Sequence, residues 1–240
     1  MNPIEQEDAK KIVAGVKRTA LNLKNSEVVV CPPFVYTSLF SKGKSKNFNL
    51  GAQNVNPELS GSFTGEVSYS MLYQFGVRFV IVGHSERRKM GESDALVNKK
   101  VNAVINSGMT AILCVGESTR DHNGDYLEFI KNQIRDALND VPKKLMGNIV
   151  IAYEPIWAVG ATQAMSSMDL HEMSIYIKKV LKDLFGVYSN DTRILYGGSV
   201  DLVNAEGLVR DGNVSGLLIG RESLKPAVFS EIVKTVDRIK

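Results

Sequence analysis

The stretch IVIAYEPIWAVG, residues 149–160, decides the fold of this chain of 240 residues. Its first five residues are largely apolar, which predicts a buried strand over Ile149–Tyr153. Glu154 follows directly, and a carboxylate at the end of a buried strand costs free energy unless something compensates it. The only tryptophan, Trp157, and Gly160 lie close behind. The stretch therefore predicts a strand that carries a carboxylate to a functional loop.

Six further apolar runs, rich in β-branched residues, have Gly, Pro, Asn or Ser at their edges, which predicts strands. They are Val28–Cys31, Phe48–Ala52, Arg78–Gly83, Ala111–Val115, Arg193–Tyr196 and Gly216–Ile219. Segments of helical periodicity lie between the runs. Two of these segments carry the apolar stripes Leu170, Met173, Ile177, Leu181, Leu184 and Leu127, Ile130, Ile134, Ala137, Leu138. Because strand and helix alternate without a polar linker, we expect a single domain over residues 1–240 with one parallel sheet.

The chain opens with a predicted helix rather than a strand. Asn2 is a good N-cap, Pro3 suits the first helical position, and Glu5 lies three residues after the cap. Five other helices are expected near residues 33–42, 68–75, 94–107, 202–210 and 227–239. The sequence thus predicts eight helices and seven strands. Since eight repeats close into an α/β barrel, we expect such a barrel without its first strand.

The composition excludes several classes of protein. The net charge is only +3 and no long basic run occurs, so nucleic acid is not an expected partner. No stretch approaches ~18 continuous apolar residues, and the first twenty residues lack an apolar signal core, so we expect no membrane partner. Cys31 and Cys114 lie in apolar runs and are expected to be core thiols in a reducing compartment. These features predict a cytoplasmic protein.

In a parallel α/β barrel, the active site is built at the carboxyl ends of the strands. The segments at these ends are GAQNV, GHSERR, CVGES, EPIWAVG, YGGSV and GRES, in chain order. His84 and Glu154 are the residues among them that are typical of acid–base chemistry. No cluster of His, Cys and carboxylates has metal-ligand spacing, so we expect no metal.

Two interpretations of Glu154 and His84 follow from the residues. Glu154 either forms an ion pair with a neighbouring Arg or Lys, or acts as a partly desolvated general base. His84 is either a hydrogen-bonded structural residue or a donor to a carbonyl oxygen, kept neutral by the helix that starts beside it. If the two residues face each other at the strand ends, they predict an enzyme that removes a proton from the carbon next to a carbonyl group. Glu86 and Arg87 alternatively form a structural salt bridge beneath the site.

Glycines follow the last two predicted strands, in Gly197-Gly198-Ser199 and Gly220-Arg221. Glycine lets backbone N–H groups approach an anion, and the helices that follow add a favourable dipole. Each pair also suits an ordinary turn, but together, at this place in a barrel, they predict a phosphate site. The small residues 158–161 suit either a lid over this site or a plain surface loop.

The chain resembles triosephosphate isomerases. The stretches that carry the resemblance are CPPFVY, GAQNV, GSFTGEVS, VIVGHSERR, AILCVGE, AYEPIWAVG, YGGSV and GLLIGRESL, in family order along the whole chain. The resemblance implies an α/β fold of the TIM (β/α)8-barrel type and an isomerase that interconverts dihydroxyacetone phosphate and glyceraldehyde 3-phosphate. It also implies a role in glycolysis and gluconeogenesis, no cofactor or metal, and a homodimer formed through the loop around Thr64.

The resemblance assigns roles to individual residues. Glu154 would be the catalytic base, His84 the neutral electrophile and Glu86 a supporting residue of the catalytic site. The substrate phosphate would be bound through backbone N–H groups of Gly160, Ser199, Gly220 and Arg221.

The chain departs from the family in three places. The family begins with a strand ending in Asn-x-Lys, and Met1-Asn2 match the two residues after that lysine. Arg221 stands where the family commonly has a second glycine, and residues 161–164 lack the usual Thr-Gly-Lys. We therefore expect weak or absent isomerase activity. The alternative is a non-catalytic sugar-phosphate-binding or structural protein that retains the barrel.

Overall fold

Seven parallel strands form one curled sheet in the computed structural model, which describes residues 2–41, 46–121, 123–161 and 164–239. The strands are β1 (Val28–Val30), β2 (Phe48–Ala52), β3 (Phe79–Val82), β4 (Thr110–Val115), β5 (Ile149–Tyr153), β6 (Arg193–Tyr196) and β7 (Gly216–Leu217). Each strand pairs with the next in the chain, so the spatial order equals the chain order. This arrangement confirms the predicted incomplete barrel of seven strands.

Helices cover the outside of the sheet. They are α1 (Gln6–Ala20), α2 (Phe34–Phe40), α3 (Tyr69–Gln74), α4 (Ser85–Lys89), α5 (Asp94–Asn106), α6 (Asp125–Ala137), α7 (Ser167–Phe185), α8 (Ala205–Arg210) and α9 (Pro226–Ile239). The described residues thus contain nine α-helices rather than the eight predicted, because the segment that begins at Ser85 forms the separate short helix α4. None of these helices has the length and apolar character that crossing a membrane requires.

The first helix begins later than the sequence predicts. Glu5, not Asn2, occupies the N-cap position, and its side chain makes no capping hydrogen bond. The Tyr36 hydroxyl donates to the carbonyl of Ile4 at 2.6 Å, which holds that carbonyl outside the helical ladder. The first helical hydrogen bond runs from the Ala9 N–H to the Glu5 carbonyl. The predicted Asn2–Pro3–Glu5 cap is therefore wrong.

The barrel has two apolar layers, one inside the sheet and one between sheet and helices. The inner layer consists of Phe79, Ile112, Cys114, Val150 and Ala152. The outer layer is larger and includes the buried faces of α1, α5, α6 and α7. Because β-strands alternate their side chains, strands buried on both faces read as continuous apolar runs, which is why the sequence revealed them.

The sheet is open between β1 and β7. Within the part of the chain that the structure describes, each of these strands pairs with one neighbour only, and a cavity of about 640 Å³ lies between them. The two strands are also shorter than predicted, since β1 ends at Val30 and β7 ends at Leu217. Strands with an unpaired edge have fewer hydrogen bonds to hold their ends.

Several contacts join the two sides of this opening. Helices α1 and α9 pack together outside it, where the Thr19 hydroxyl donates to the Ser230 hydroxyl at 3.0 Å. At the amino end of the strands, the Asp237 carboxylate accepts the backbone N–H groups of Lys24, Asn25 and Ser26, which lowers the pKa of Asp237 although burial opposes the shift. An ion pair between Arg193 and Glu27 also spans the amino end.

A buried ion cluster joins α4, α5 and the segment after β2. The Lys100 ammonium is 3% exposed and pairs with the Glu92 carboxylate, and it also donates to Asn54 Oδ1 at 2.7 Å. Arg87 Nε donates to the same carboxylate at 2.7 Å. Burial raises the pKa of Glu92, but Lys100 and Arg87 lower it more, so the net position is below the usual value. The interpretation of Arg87 as a structural salt-bridge residue is therefore confirmed, but its partner is Glu92 and not Glu86.

We predict that Lys100→Met lowers the free energy of unfolding by about 3–5 kcal/mol, because it leaves a buried carboxylate without its main partner. Urea denaturation measures the change. Lys99→Met is the matched control: Lys99 is its exposed neighbour, so its loss should change stability by less than about 0.5 kcal/mol. Equal stability of the two variants would contradict a structural role for the cluster.

Candidate active site

Glu154 lies directly after β5 and is only 3% exposed. Its Oε1 lies 3.0 Å from Nε2 of His84, and its Oε2 accepts the backbone N–H of Ser85 at 3.3 Å. Among the described residues, no Arg or Lys lies within 4.0 Å of this carboxylate, so it forms no ion pair with either residue type. The cost of burying the carboxylate is offset instead by the imidazole and a backbone N–H group.

His84 is held by the start of α4, for which it is the N-cap residue. Its Nδ1 accepts the backbone N–H of Glu86 at 3.2 Å. Because Nδ1 is an acceptor, the proton of a neutral imidazole resides on Nε2 and points at Glu154. The structure therefore brings His84 and Glu154 into direct contact, with the imidazole in one tautomer.

The protonation of His84 depends on two opposing effects. Burial lowers the pKa of His84, whereas the hydrogen bond to Glu154 and the charges of Glu154 and Glu86 raise it, and the net position is above the usual value. Of the two carboxylates, that of Glu154 lies closer to the ring, at 3.0 Å from Nε2, whereas that of Glu86 lies 4.0 Å from Nδ1. The neutral state of the imidazole stays a prediction.

Two glycines shape the space around Glu154. A Cβ on Gly116 would lie 1.9 Å from the Glu154 carbonyl oxygen, and one on Gly197 would lie 2.7 Å from Glu154 Cγ. These distances are far below van der Waals contact, so any side chain at either position would displace Glu154. Gly116 of CVGES and Gly197 of YGGSV thus leave the space that Glu154 occupies. The prediction from the sequence considered glycine only as a residue that lets an anion approach the backbone.

A buried hydrogen-bond network joins the segment after β4 to β5 and the segment after it, and the sequence analysis missed it. The Glu117 carboxylate, 1% exposed, accepts the Tyr153 hydroxyl at 2.9 Å and the Trp157 indole N–H at 2.9 Å. Arg120 donates to Glu117 at 3.0 Å and to the Tyr153 hydroxyl at 3.0 Å. The sequence feature that could have identified Glu117 is its place at a strand end, in CVGES. The network fixes the first turn after Glu154.

The segments after β5, β6 and β7 meet on the other side of the site. Ser199 Oγ donates to the carbonyls of Ala158 at 3.1 Å and Ala161 at 2.7 Å. The Arg221 guanidinium also donates to the Ala161 carbonyl, at 3.4 Å. Gly160 has a φ of +73°, which favours glycine, and no atom lies near its Cβ position. The structure therefore gathers Gly160, Ser199 and Arg221, beside Gly220.

The Ser199 N–H group donates to the Ala158 carbonyl at 3.2 Å. It is therefore occupied in this arrangement and would have to change partner to bind an anion. Thr162 and Gln163, on which the expectation for the end of the lid depends, lie outside the described residues. Within the described ranges, no group of three or more His, Cys, Asp or Glu residues could hold a metal ion.

Comparison with known proteins identifies the family. The sequence model of triosephosphate isomerase matches residues 1–236. The triosephosphate isomerase of Natranaerobius thermophilus is 40% identical over 233 residues, which cover 96% of this chain and 91% of the relative. That of Chloroflexus aurantiacus is 43% identical over 215 residues, which cover 88% and 86%. The chain belongs to the triosephosphate isomerase family.

Because the chain belongs to the triosephosphate isomerase family, it is an isomerase by resemblance. The TIM-barrel type expected for this family agrees with the seven-stranded sheet described above. Glu86, expected to support catalysis, has an exposed carboxylate 4.0 Å from His84 Nδ1, and its backbone N–H makes the closer contact. Thr64 lies on an exposed loop that also carries the exposed side chains of Leu59 and Phe63.

We predict that Glu154→Gln lowers the pKa of His84. The substitution removes the charge and weakens the hydrogen bond that raise this pKa, so the effect of burial, which lowers it, prevails. Titration of the His84 ring protons by NMR in both proteins measures the change. His171, whose Nδ1 lies 3.1 Å from the Asp211 carbonyl oxygen, serves as the internal control. An unchanged or raised pKa would contradict the contact between His84 and Glu154.

We also predict that Gly116→Ala lowers the free energy of unfolding by about 1–3 kcal/mol, because the added methyl group must displace the backbone of Glu154. Gly147→Ala is the control, since no atom lies within 4 Å of a Cβ at Gly147. Chemical denaturation compares the two variants. If they are equally stable, the close packing of Gly116 against Glu154 is not present in solution.

Proposed function

We propose that residues 1–240 form one TIM-barrel domain that interconverts dihydroxyacetone phosphate and glyceraldehyde 3-phosphate. The observation that carries this proposal is the contact between the buried Glu154 carboxylate and His84 Nε2 at 3.0 Å. A carboxylate after β5 and an imidazole after β3, in contact at the same end of the barrel, are the groups that proton transfer next to a carbonyl needs. The reaction belongs to glycolysis and gluconeogenesis, and the proposed location is the cytoplasm.

In the proposed mechanism, Glu154 removes a proton from the carbon next to the substrate carbonyl. His84 donates a hydrogen bond from Nε2 to the oxygen on which negative charge develops. Glu154 then returns its proton to the former carbonyl carbon. A second proton passes from the hydroxyl oxygen to the former carbonyl oxygen, and His84 is the residue proposed to relay it through Nε2, so the reaction moves two protons and releases nothing. In the free protein the His84 and Glu154 side chains are hydrogen-bonded to each other. The substrate must therefore enter between them and replace that hydrogen bond with two of its own.

Glu86 supports this arrangement through its backbone, since its N–H group holds His84 Nδ1 as an acceptor. The proposed phosphate site consists of backbone N–H groups of Gly160, Ser199, Gly220 and Arg221. The Arg221 guanidinium adds a positive charge where the family commonly has glycine, and phosphate binding would replace its contact with the Ala161 carbonyl.

The turnover of this chain is proposed to be weak. None of the strands β1–β7 ends in the Asn-x-Lys that resemblance to the family implies, since Asn22-Leu23-Lys24 follows α1 and Asn98-Lys99-Lys100 lies within α5. Loss of one positioned donor to the developing charge costs about 3 kcal/mol or more, which is roughly a 10²–10³-fold loss of rate. The second candidate function is sugar-phosphate binding without turnover, and the same missing residues favour it.

A homodimer is the proposed assembly. Leu59 and Phe63, on the loop around Thr64, are 57% and 45% exposed, and Phe75 nearby in the sequence is 45% exposed. Exposed apolar side chains on a loop would suit contact with another protein. A second copy of the chain would remove them from water.

We predict a kcat/KM for glyceraldehyde 3-phosphate below about 10⁶ M⁻¹s⁻¹ in a direct isomerase assay of the chain. Glu154→Asp is the essential control, because contaminating isomerase of the expression host would be unaffected by it. The shorter side chain moves the carboxylate by roughly an ångström and should lower the rate by about 10². A residual rate that is equal in both proteins would remove the proposal of turnover and leave the binding function.

A further inference from the structure

One guanidinium contacts both ends of the segment that joins β5 to α7. Arg120, which follows β4, lies over the indole of Trp157, with its guanidinium carbon 5.5 Å from the ring centroid. Its Nη2 lies 4.0 Å from Sδ of Met165, just before α7 begins at Ser167. Trp157 stands near the start of the segment and Met165 near its end. A side chain outside the segment therefore touches it at two places.

The guanidinium of Arg120 is itself fixed from the protein interior. Its Nε donates to the Glu117 carboxylate and its Nη2 to the Tyr153 hydroxyl, each at 3.0 Å. Tyr126 of α6 also packs against the guanidinium, whose carbon lies 5.0 Å from the ring centroid. Because the donors of a guanidinium form a rigid planar fork, these contacts allow one orientation of the group. The interior thus holds Arg120, and Arg120 contacts the segment.

The partner of Arg120 makes this position costly to leave. Glu117 is 1% exposed, and among the described residues Arg120 is the only Lys or Arg within 4.0 Å of its carboxylate. Departure of the guanidinium would leave a buried charge unpaired. Burial and the charge of Glu117 raise the pKa of Tyr153 well above its usual value, so the hydroxyl keeps its proton and donates it to Glu117. Arg120 is therefore a fixed point against which the segment can move.

The segment between Trp157 and Met165 carries part of the proposed phosphate site, the N–H group of Gly160. Its present arrangement must change when phosphate binds, because the Ala158 carbonyl occupies the Ser199 N–H group. A segment whose ends are already held loses less conformational freedom when its middle rearranges around a ligand, and this saving appears as affinity. Contacts at both ends of the segment therefore bear on phosphate binding.

We propose that Arg120 is a positioning residue for phosphate binding, which holds both ends of the segment while residues 158–161 rearrange around the phosphate group. This inference rests on the proposed function, from which it takes the phosphate site. Among the described residues, the hydrogen bonds of Arg120 go to Glu117, Tyr153 and Met165. Its donors are thus engaged within the protein, and it acts on the ligand through the segment.

The test is isothermal titration calorimetry of the full chain with inorganic phosphate. Arg120→Met should weaken phosphate binding by about 10-fold, because both ends of the segment must then be ordered when the ligand binds. Arg135→Met is the matched control and should leave the affinity unchanged, since Arg135 is exposed on α6 and pairs with its neighbour Asp136. Equal affinity of Arg120→Met and the parent chain would overturn the role of Arg120 alone. A parent chain that does not bind phosphate would overturn the proposed phosphate site and this role with it.

A second variant, Arg120→Lys, keeps a positive charge beside the buried Glu117 carboxylate and so preserves the fold. Its ammonium group lacks the planar fork, so it cannot bind Glu117 and Tyr153 and cover Trp157 at once. We expect this variant to bind phosphate about 5-fold more weakly than the parent chain. Full affinity in Arg120→Lys would show that charge alone matters, and would overturn the proposal. Urea denaturation identifies a purely structural role, for which both variants would lose stability but bind phosphate as the parent chain does; that result would also overturn it.

Discussion

The hydrogen-bonded ladder that holds β5 between β4 and β6 is the constraint on which the site depends. Tyr153, the last residue of β5, is in register with Val115 of β4 and Tyr196 of β6. Parallel strands place their carboxyl ends at one edge of a sheet. Glu154, the residue after Tyr153, is consequently fixed between two neighbouring strands, where Gly116 and Gly197 leave room for it. The position of the carboxylate is therefore a property of the sheet and does not depend on a flexible loop.

The elements that could be predicted from the sequence are those whose burial leaves a local pattern. Strands β2, β5 and β6 have the predicted bounds, because strands covered on both faces appear as unbroken apolar runs between turn residues. The pairing of His84 with Glu154 also followed from pattern, since both stand at the end of such a run. The alternation of strand and helix then predicted that strands consecutive in the chain are neighbours in the sheet.

What could not be predicted depends on residues that are distant in the chain or on competition between partners. Glu117 meets Trp157 across 40 positions, and no local pattern announces that hydrogen bond. Glu86 is the neighbour of Arg87 in the sequence, but Arg87 pairs with Glu92, which Lys100 also binds. Helix α1 begins at Gln6, and the distant Tyr36 binds the carbonyl of Ile4 just before it. In each case tertiary contact overrides local preference.

The setting of Trp157 gives the protein an intrinsic optical reporter. Its indole is the only one in the chain, donates to the Glu117 carboxylate, and lies with its ring 5.5 Å from the Arg120 guanidinium. Indole emission responds to nearby charge and to loss of a hydrogen bond, and excitation selective for indole reports on this residue alone. The segment after Glu154 can therefore be followed by steady-state and stopped-flow fluorescence without any label. Phosphate-bearing ligands that rearrange this segment would reveal themselves as a spectral change, even in a protein that does not turn them over.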